Sequence, residues 1–168
     1  FVSKEEVRRW PAIGWLAAMN DTIFLKRGSR GHARQINQEI AEMLAAGKHV
    51  GVFPEGTTTD GRSVLHFHGA LMQPALAAQR PIVPVAISYF EENGERSLAP
   101  RYDGDISFGE CLWNVASRKR LRARLQTLPA LGMSGESRRD VAVAARDAII
   151  AAVMLPARSM PPETPGDL

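Results

Sequence analysis

Short apolar segments bounded by polar or helix-breaking residues predict β-strands along this chain. Apolar runs of this length between turn signals are typical of buried strands. The segments are Thr22–Leu25, His49–Phe53, Pro81–Ser88 and Ile106–Phe108. Pro54 ends the second because proline has no N–H to donate to a β-ladder. A further run, Leu121–Leu128, alternates apolar and basic residues, which is the two-residue period of a half-exposed strand.

Apolar positions that recur every three or four residues predict helices between these strands. The clearest is His32–Ala46, followed by Gly47 where a left-handed C-cap belongs. Two further helices are predicted, Glu110–Ser117 and Ser137–Leu155, and in the second Ser137 and Asp140 have the spacing of a capping box. Gly69–Ala78 is also predicted to be helical, with Pro74 at its start or at a kink, and Trp10–Met19 is a short helix or a buried loop.

The alternation of helices and strands predicts the fold class: α/β, with a mixed, largely parallel sheet covered by helices. Residues 1–155 are expected to form one domain. Residues 156–168 are rich in proline and are expected to be disordered. In sheets of this kind, ligands bind at the carboxyl ends of the strands.

Composition narrows the class of protein without selecting a partner. The 168 residues are 45% hydrophobic and 23% charged, which excludes collagen-like, disordered and disulfide-rich proteins. A net charge of +3 suits an anionic partner, whether phosphate, lipid headgroup or nucleic acid. Cys111 is the only cysteine, so no internal disulfide can form, and we expect a buried packing residue in a reducing compartment.

Two predicted strand ends carry the candidate chemistry. Lys26 and Arg27 follow the first strand, and Arg can bind a phosphate with two parallel hydrogen bonds. Glu55, Gly56 and Thr57 follow the second strand, where glycine permits a close approach and successive N–H groups can bind an anion. The alternative interpretations are a solvated basic loop and a simple turn with an exposed glutamate.

Other motifs indicate little chemistry. Arg118–Arg124 is a basic run that fits either an anionic-lipid patch or a polar strand face. His66 and His68 are two apart, but no further ligand completes a recognised zinc spacing, so we expect no metal. The chain has no P-loop and no dinucleotide-binding motif. It also lacks the paired aromatics of an RNA-binding module, so we expect no nucleic-acid partner.

Four segments, in order, resemble the conserved blocks of one enzyme family. They are Phe1–Glu6, Asp21–Arg27, Phe53–Thr57 and Val83–Ile87. On these residues the chain resembles the bacterial 1-acylglycerol-3-phosphate (lysophosphatidate) acyltransferases. Asp21 stands where the family has glycine, and Thr58 stands where it has arginine, a contact that Arg62 or Arg30 could supply.

The family's first block, a histidine followed five positions later by aspartate, has no match here, because none of the four histidines has this spacing. We expect this block upstream of Phe1. The resemblance implies that its histidine is the catalytic base and that Glu55 orients the acceptor's glycerol. It further implies that Lys4, Arg27, Gly56 and Thr57 hold the acceptor phosphate.

The activity implied by the resemblance is acyl transfer from acyl-CoA or acyl carrier protein to the hydroxyl of 1-acylglycerol-3-phosphate, without any other cofactor. The expected partners are this lyso-lipid, the acyl donor and a membrane surface, at the cytoplasmic face of a bacterial inner membrane. An apolar docking surface could be supplied by Trp10, Ile13, Trp15 and Leu16, which could equally lie in the core. The alternatives are another acceptor, such as lyso-ornithine lipid, and a non-catalytic module that binds anionic lipid.

Overall fold

A computed structural model describes residues 1–10, 13–20, 22–25, 30–132 and 135–154. These residues confirm the mixed α/β class. Their strands are β1 (Val2–Lys4), β2 (Ile23–Leu25), β3 (Val85–Phe90) and β4 (Arg122–Thr127). Their α-helices are α1 (Ile13–Met19), α2 (Arg30–Ala45), α3 (Gln73–Ala77), α4 (Phe108–Ala116) and α5 (Arg138–Met154), and 3₁₀ turns cover Glu5–Arg9 and Gly69–Leu71.

The chain divides into two compact units, which contain different sheets. Unit 1 comprises Phe1–Thr57, Leu65–Val83 and Ala130–Ala145. Unit 2 comprises Thr58–Val64, Pro84–Pro129 and the described chain from Arg146 onwards. The described strands form a parallel pair, β1–β2, and an antiparallel pair, β3–β4, rather than the single sheet expected from the sequence.

Unit 1 is built on the parallel pair and on helix α2. Lys4 is the register partner of Leu25, so the carboxyl ends of β1 and β2 lie side by side. The apolar stripe of α2 supplies Ile36 and Ile40 to a buried cluster with Val2 and Ile23. This helix confirms the prediction from periodicity, and Gly47 after it has the left-handed φ of +76° that a C-cap requires.

The predicted strand His49–Phe53 is wrong, because the structure assigns no strand pairing to these residues. The peptide between Phe1 and Val2 explains how the segment is held. Its C=O accepts from Ile23 in β2, while its N–H donates to the carbonyl of Gly51 at 2.9 Å. A Cβ on Gly51 would lie 2.7 Å from the Phe1 ring, so the segment contacts β1 through this glycine and not through a ladder.

Unit 2 contains the antiparallel pair, in which Ile87 lies opposite Leu125. Strand β4 confirms the alternation in Leu121–Leu128. The predicted buried strand Pro81–Ser88 is partly wrong: β3 begins at Val85, after both prolines, and its residues alternate between exposed and buried. Proline cannot donate to the ladder, which delays the start of the strand.

Caps account for the ends of two helices. The predicted strand Ile106–Phe108 is wrong because the Ser107 hydroxyl accepts from the Glu110 N–H and starts helix α4. At α5, the Ser137 hydroxyl accepts from the Asp140 N–H and donates to its carboxylate at 2.7 Å, which confirms the predicted cap. Pro74 lies in the first turn of α3, where a missing N–H costs nothing.

Candidate functional site

The residues after Val52 form a tight turn in unit 1. The Gly56 N–H donates to the carbonyl of Phe53 at 3.1 Å, so Pro54 and Glu55 occupy the two central positions. Proline at the first central position presets the backbone for such a turn. Gly56 has a φ of +66°, a conformation that a residue with a Cβ adopts only with strain. This positive φ explains why glycine occupies position 56.

Glu55 holds a second segment against this turn. Its Oε2 accepts from the Leu65 N–H at 2.8 Å. Three residues further on, the His68 N–H donates to the carbonyl of Pro54 at 2.8 Å. The half-buried carboxylate therefore has a structural task, and since a carboxylate offers about four lone-pair sites, it retains capacity for a substrate hydroxyl.

The ring of His68 lies over Gly56. A Cβ built on Gly56 would stand 3.3 Å from His68 Cδ2 and 3.5 Å from Nε2. The side chain of His68 is exposed, and its ring meets that of His66 edge-on, with centroids 6.0 Å apart. The sequence singled out these two histidines only as a possible metal pair. No local signal could have placed His68 beside Gly56, because the contact depends on the return of the chain.

The cationic half of the predicted site is described only in part. The backbone of Lys4 ends β1 beside Leu25, as expected for parallel strands whose carboxyl ends meet. Arg27, two residues beyond Leu25, lies outside the described residues, as do Lys26 and Asp21. The juxtaposition of Arg27 with Glu55 therefore stays a prediction.

Thr57 is exposed at the end of the turn, and the polar residues after it make local bonds in unit 2. The Asp60 carboxylate accepts from the Arg62 N–H at 3.0 Å and pairs with the Arg62 guanidinium at 3.5 Å. The Thr59 hydroxyl accepts from the Gly61 N–H at 3.2 Å. Arg62, named above as a substitute for the missing arginine after Thr57, thus already has an anionic partner.

The second basic run is also partly neutralised. Arg118 pairs with Glu91 at 3.8 Å, and Arg120 pairs with Glu92 at 3.6 Å. Exposed pairs at these distances contribute little to stability, but they lower the net positive charge that the run presents. A polar strand face with its preceding turn therefore accounts for much of this run.

The structure also bears on two other features, a metal-binding site and a membrane-spanning helix. Within residues 1–154, apart from the undescribed gaps, His, Cys, Asp and Glu nowhere form a group of three that could hold a metal ion. Among the helices that the structure describes, none is long and apolar enough to cross a membrane.

Comparisons with known proteins assign the family. A family model described as Acyltransferase matches residues 1–88. A lyso-ornithine lipid O-acyltransferase of Pseudomonas aeruginosa is 42% identical over 149 residues, which cover 89% of this chain and 57% of the relative. A 1-acyl-sn-glycerol-3-phosphate acyltransferase of Neisseria meningitidis is 36% identical over 125 residues, which cover 74% of this chain and 49% of the relative.

A lyso-ornithine lipid O-acyltransferase of Rhodobacter capsulatus is 37% identical over 158 residues, covering 89% of this chain and 56% of the relative. The chain thus spans about half the length of the curated relatives it matches. No solved structure is significantly similar to it. The family model covers Lys4, Arg27 and the Glu55 turn, and with these relatives it shows that the chain belongs to the acyltransferase family.

Proposed function

We propose that the protein containing this chain transfers an acyl group from a thioester to the hydroxyl of a lyso-lipid whose headgroup carries an anionic group, either a phosphate or a carboxylate. The observation that carries the proposal is the turn at Glu55–Gly56–Thr57, within the span of the acyltransferase family model. A left-handed glycine followed by an exposed threonine gives the backbone access that an anionic headgroup needs.

The reaction needs a base and a means of orienting the acceptor. The lyso-lipid hydroxyl oxygen attacks the thioester carbonyl carbon and loses its proton to the base. The carbon–sulfur bond breaks, and the thiolate leaves and takes up a proton, giving an ester and the free thiol carrier. An alcohol is a weak nucleophile at neutral pH, so a positioned base is required. We assign this base to the histidine of the block expected upstream of Phe1.

Residues of this chain would position the acceptor. Glu55 accepts a hydrogen bond from the acceptor through lone pairs that the Leu65 N–H does not use. Lys4, Arg27 and the backbone at Gly56 and Thr57 hold the anionic group. Holding both reactants in a near-attack geometry removes several kcal/mol from the barrier.

Two acceptors fit this proposal. The first is 1-acylglycerol-3-phosphate, which the Neisseria meningitidis relative is named for. The second is lyso-ornithine lipid, which the Pseudomonas aeruginosa relative is named for. Thr58 stands where the family has arginine, and this difference keeps the second acceptor open, because arginine is a strong phosphate ligand.

The donor in this proposal is acyl-CoA or acyl carrier protein, and no metal or further cofactor takes part. Because the acceptor is a lipid, the protein works at a membrane surface, for which we propose the cytoplasmic face of the bacterial inner membrane. Helix α1 supports this surface contact, since the side chains of Trp15 and Leu16 are 68% and 53% exposed. Vesicle binding that survives the double substitution of both residues by alanine would contradict this docking role.

A thiol-release assay with the full-length protein tests the function. We expect free coenzyme A to appear when acyl-CoA is mixed with 1-acylglycerol-3-phosphate or with lyso-ornithine lipid, and the acylated lipid to appear in equal amount. Binding of anionic vesicles without thiol release, under conditions where the protein is folded, would instead support the non-catalytic lipid-binding module.

A further inference from the structure

His68 is fixed beside the Glu55 turn by its own backbone. Its N–H donates to the Pro54 carbonyl at 2.8 Å, so the residue moves with the turn. The segment that carries it is held a second time where Leu65 donates to Glu55. The backbone of His68 therefore has a defined position beside the turn, which fixes the point from which its side chain extends.

The imidazole itself faces the glycine of the turn. Among the residues that the structure describes, its Cδ2 and Nε2 atoms are the only ones, outside the chain neighbours of Gly56, within 4 Å of a Cβ built on that glycine. The absence of a side chain on Gly56 therefore leaves the ring edge beside the backbone that leads to Thr57. The side chain of His68 is exposed, so a ligand can reach it.

An imidazole at this place offers the chemistry for an anion. Each ring nitrogen that carries a proton is a hydrogen-bond donor, and the doubly protonated ring is a cation. Donors of this kind bind phosphate and carboxylate oxygens more strongly than they bind neutral groups. Both candidate acceptors carry an anionic group of this kind. It is a phosphate in 1-acylglycerol-3-phosphate and the carboxylate of ornithine in lyso-ornithine lipid.

We propose that His68 binds the anionic group of the lyso-lipid headgroup and sets the affinity for the acceptor. This inference rests on the proposed function and names a residue of the same site. It gives the chain a nitrogen donor beside Gly56. Two residues after Gly56 in the sequence, threonine stands where the family has arginine. His68 is a binding residue in this scheme and takes no proton from the acceptor hydroxyl.

Steady-state kinetics of the full-length protein test this role with three variants. His68→Leu keeps a comparable volume and removes the donor. His68→Gln keeps an N–H donor at about the reach of Nε2. His49→Leu is the matched control, since His49 is also an exposed histidine of unit 1 but precedes the turn. Each variant is assayed with 1-acylglycerol-3-phosphate and with lyso-ornithine lipid.

We expect His68→Leu to raise the acceptor KM about tenfold, as loss of a hydrogen bond to a charged group would, and to change kcat less than about twofold. We expect His68→Gln to stay within about threefold of the unmodified protein. The donor KM and all constants of His49→Leu should be unchanged. If the KM of His68→Leu rises with only one of the two acceptors, the contact is still supported. That acceptor then identifies the anion, phosphate or carboxylate, that His68 binds.

Unchanged acceptor KM values in His68→Leu would overturn the inference while leaving the proposed function intact. A collapse of kcat at unchanged KM would also overturn it, because it would make His68 a proton-transfer or structural residue. If His68→Leu does not fold, His68→Gln decides, and a tenfold or larger rise in its acceptor KM would contradict a donor role. Failure of the unmodified protein to acylate either lipid would overturn the proposed function and this inference together.

Discussion

Glu55 combines a structural and a proposed catalytic task, and two substitutions separate them. Glu55→Gln keeps an oxygen that can accept from the Leu65 N–H, whereas Glu55→Ala removes the acceptor. A hydrogen bond to a charged group contributes about 1.5–3 kcal/mol and a neutral one about 0.5–1.5 kcal/mol. Because Glu55 is only half-buried, water weakens its bond, and we take about 1–2 kcal/mol for the loss in Glu55→Ala.

The expected results differ between stability and activity. In urea denaturation, Glu55→Ala should lose about 1–2 kcal/mol of unfolding free energy and Glu55→Gln less than about 1 kcal/mol. In the thiol-release assay, both variants should lose at least about tenfold in kcat/KM for the acceptor, since neither retains the carboxylate. The reasoning is refuted for stability if Glu55→Ala unfolds like the unmodified protein. It is refuted for function if Glu55→Gln keeps full activity.

Three other predictions concern the cationic side of the site, the core and the thiol. Arg27→Ala in the full-length protein should raise the KM for a phosphorylated acceptor about tenfold or more, and normal acceptor kinetics would count against its assignment. Ile40→Ala should destabilise unit 1 by about 2–5 kcal/mol in urea denaturation, because Ile40 is only 3% exposed. The control Leu16→Ala, at an exposed residue, should change the unfolding free energy by less than about 0.5 kcal/mol. Equal effects of the two substitutions would contradict the assigned core. Burial raises the pKa of the Cys111 thiol. A disulfide reagent should therefore label Cys111 more slowly at neutral pH than it labels a free small-molecule thiol, and the labelling should become faster as the pH rises. Labelling at the rate of the free thiol would contradict this burial.

Local signals in the sequence predicted helix α2 and the capped start of α5 well, but they missed the Ser107 cap of α4. Helix α2 follows from the spacing of Ile36 and Ile40, which places both on one face, and the structure buries that face. The start of α5 follows from Ser137 three residues before Asp140. These features depend on neighbours within one or two turns of the chain, so a single sequence contains the information needed.

Strand pairing was predicted less well, because it depends on distant residues. His49–Phe53 has the composition of a buried strand, yet it contacts β1 through Gly51 under the Phe1 ring, and the side chain of Phe53 is 63% exposed. The prolines in Pro81–Ser88 correctly marked the start of a strand region, but the exposure of alternate residues in β3 arises from its pairing with β4.

The candidate site likewise has one part that the local sequence predicted and one part that it did not. The turn at Glu55–Gly56–Thr57 was predicted from proline and glycine chemistry, and its left-handed glycine is present. The contact of His68 with this turn was not predicted, because it results from two hydrogen bonds that return the chain over ten or more residues. Side chains brought together by such returns are the part of a site that sequence spacing does not contain.

An experimental structure of the full-length protein with a bound lyso-lipid acceptor would test the shared headgroup site most directly. We predict the headgroup anion within hydrogen-bond distance, about 2.7–3.2 Å, of both the Arg27 guanidinium and the backbone N–H of Thr57 at the end of the Glu55 turn. A headgroup bound elsewhere, or Arg27 and Glu55 too far apart to contact one small ligand, would contradict the account.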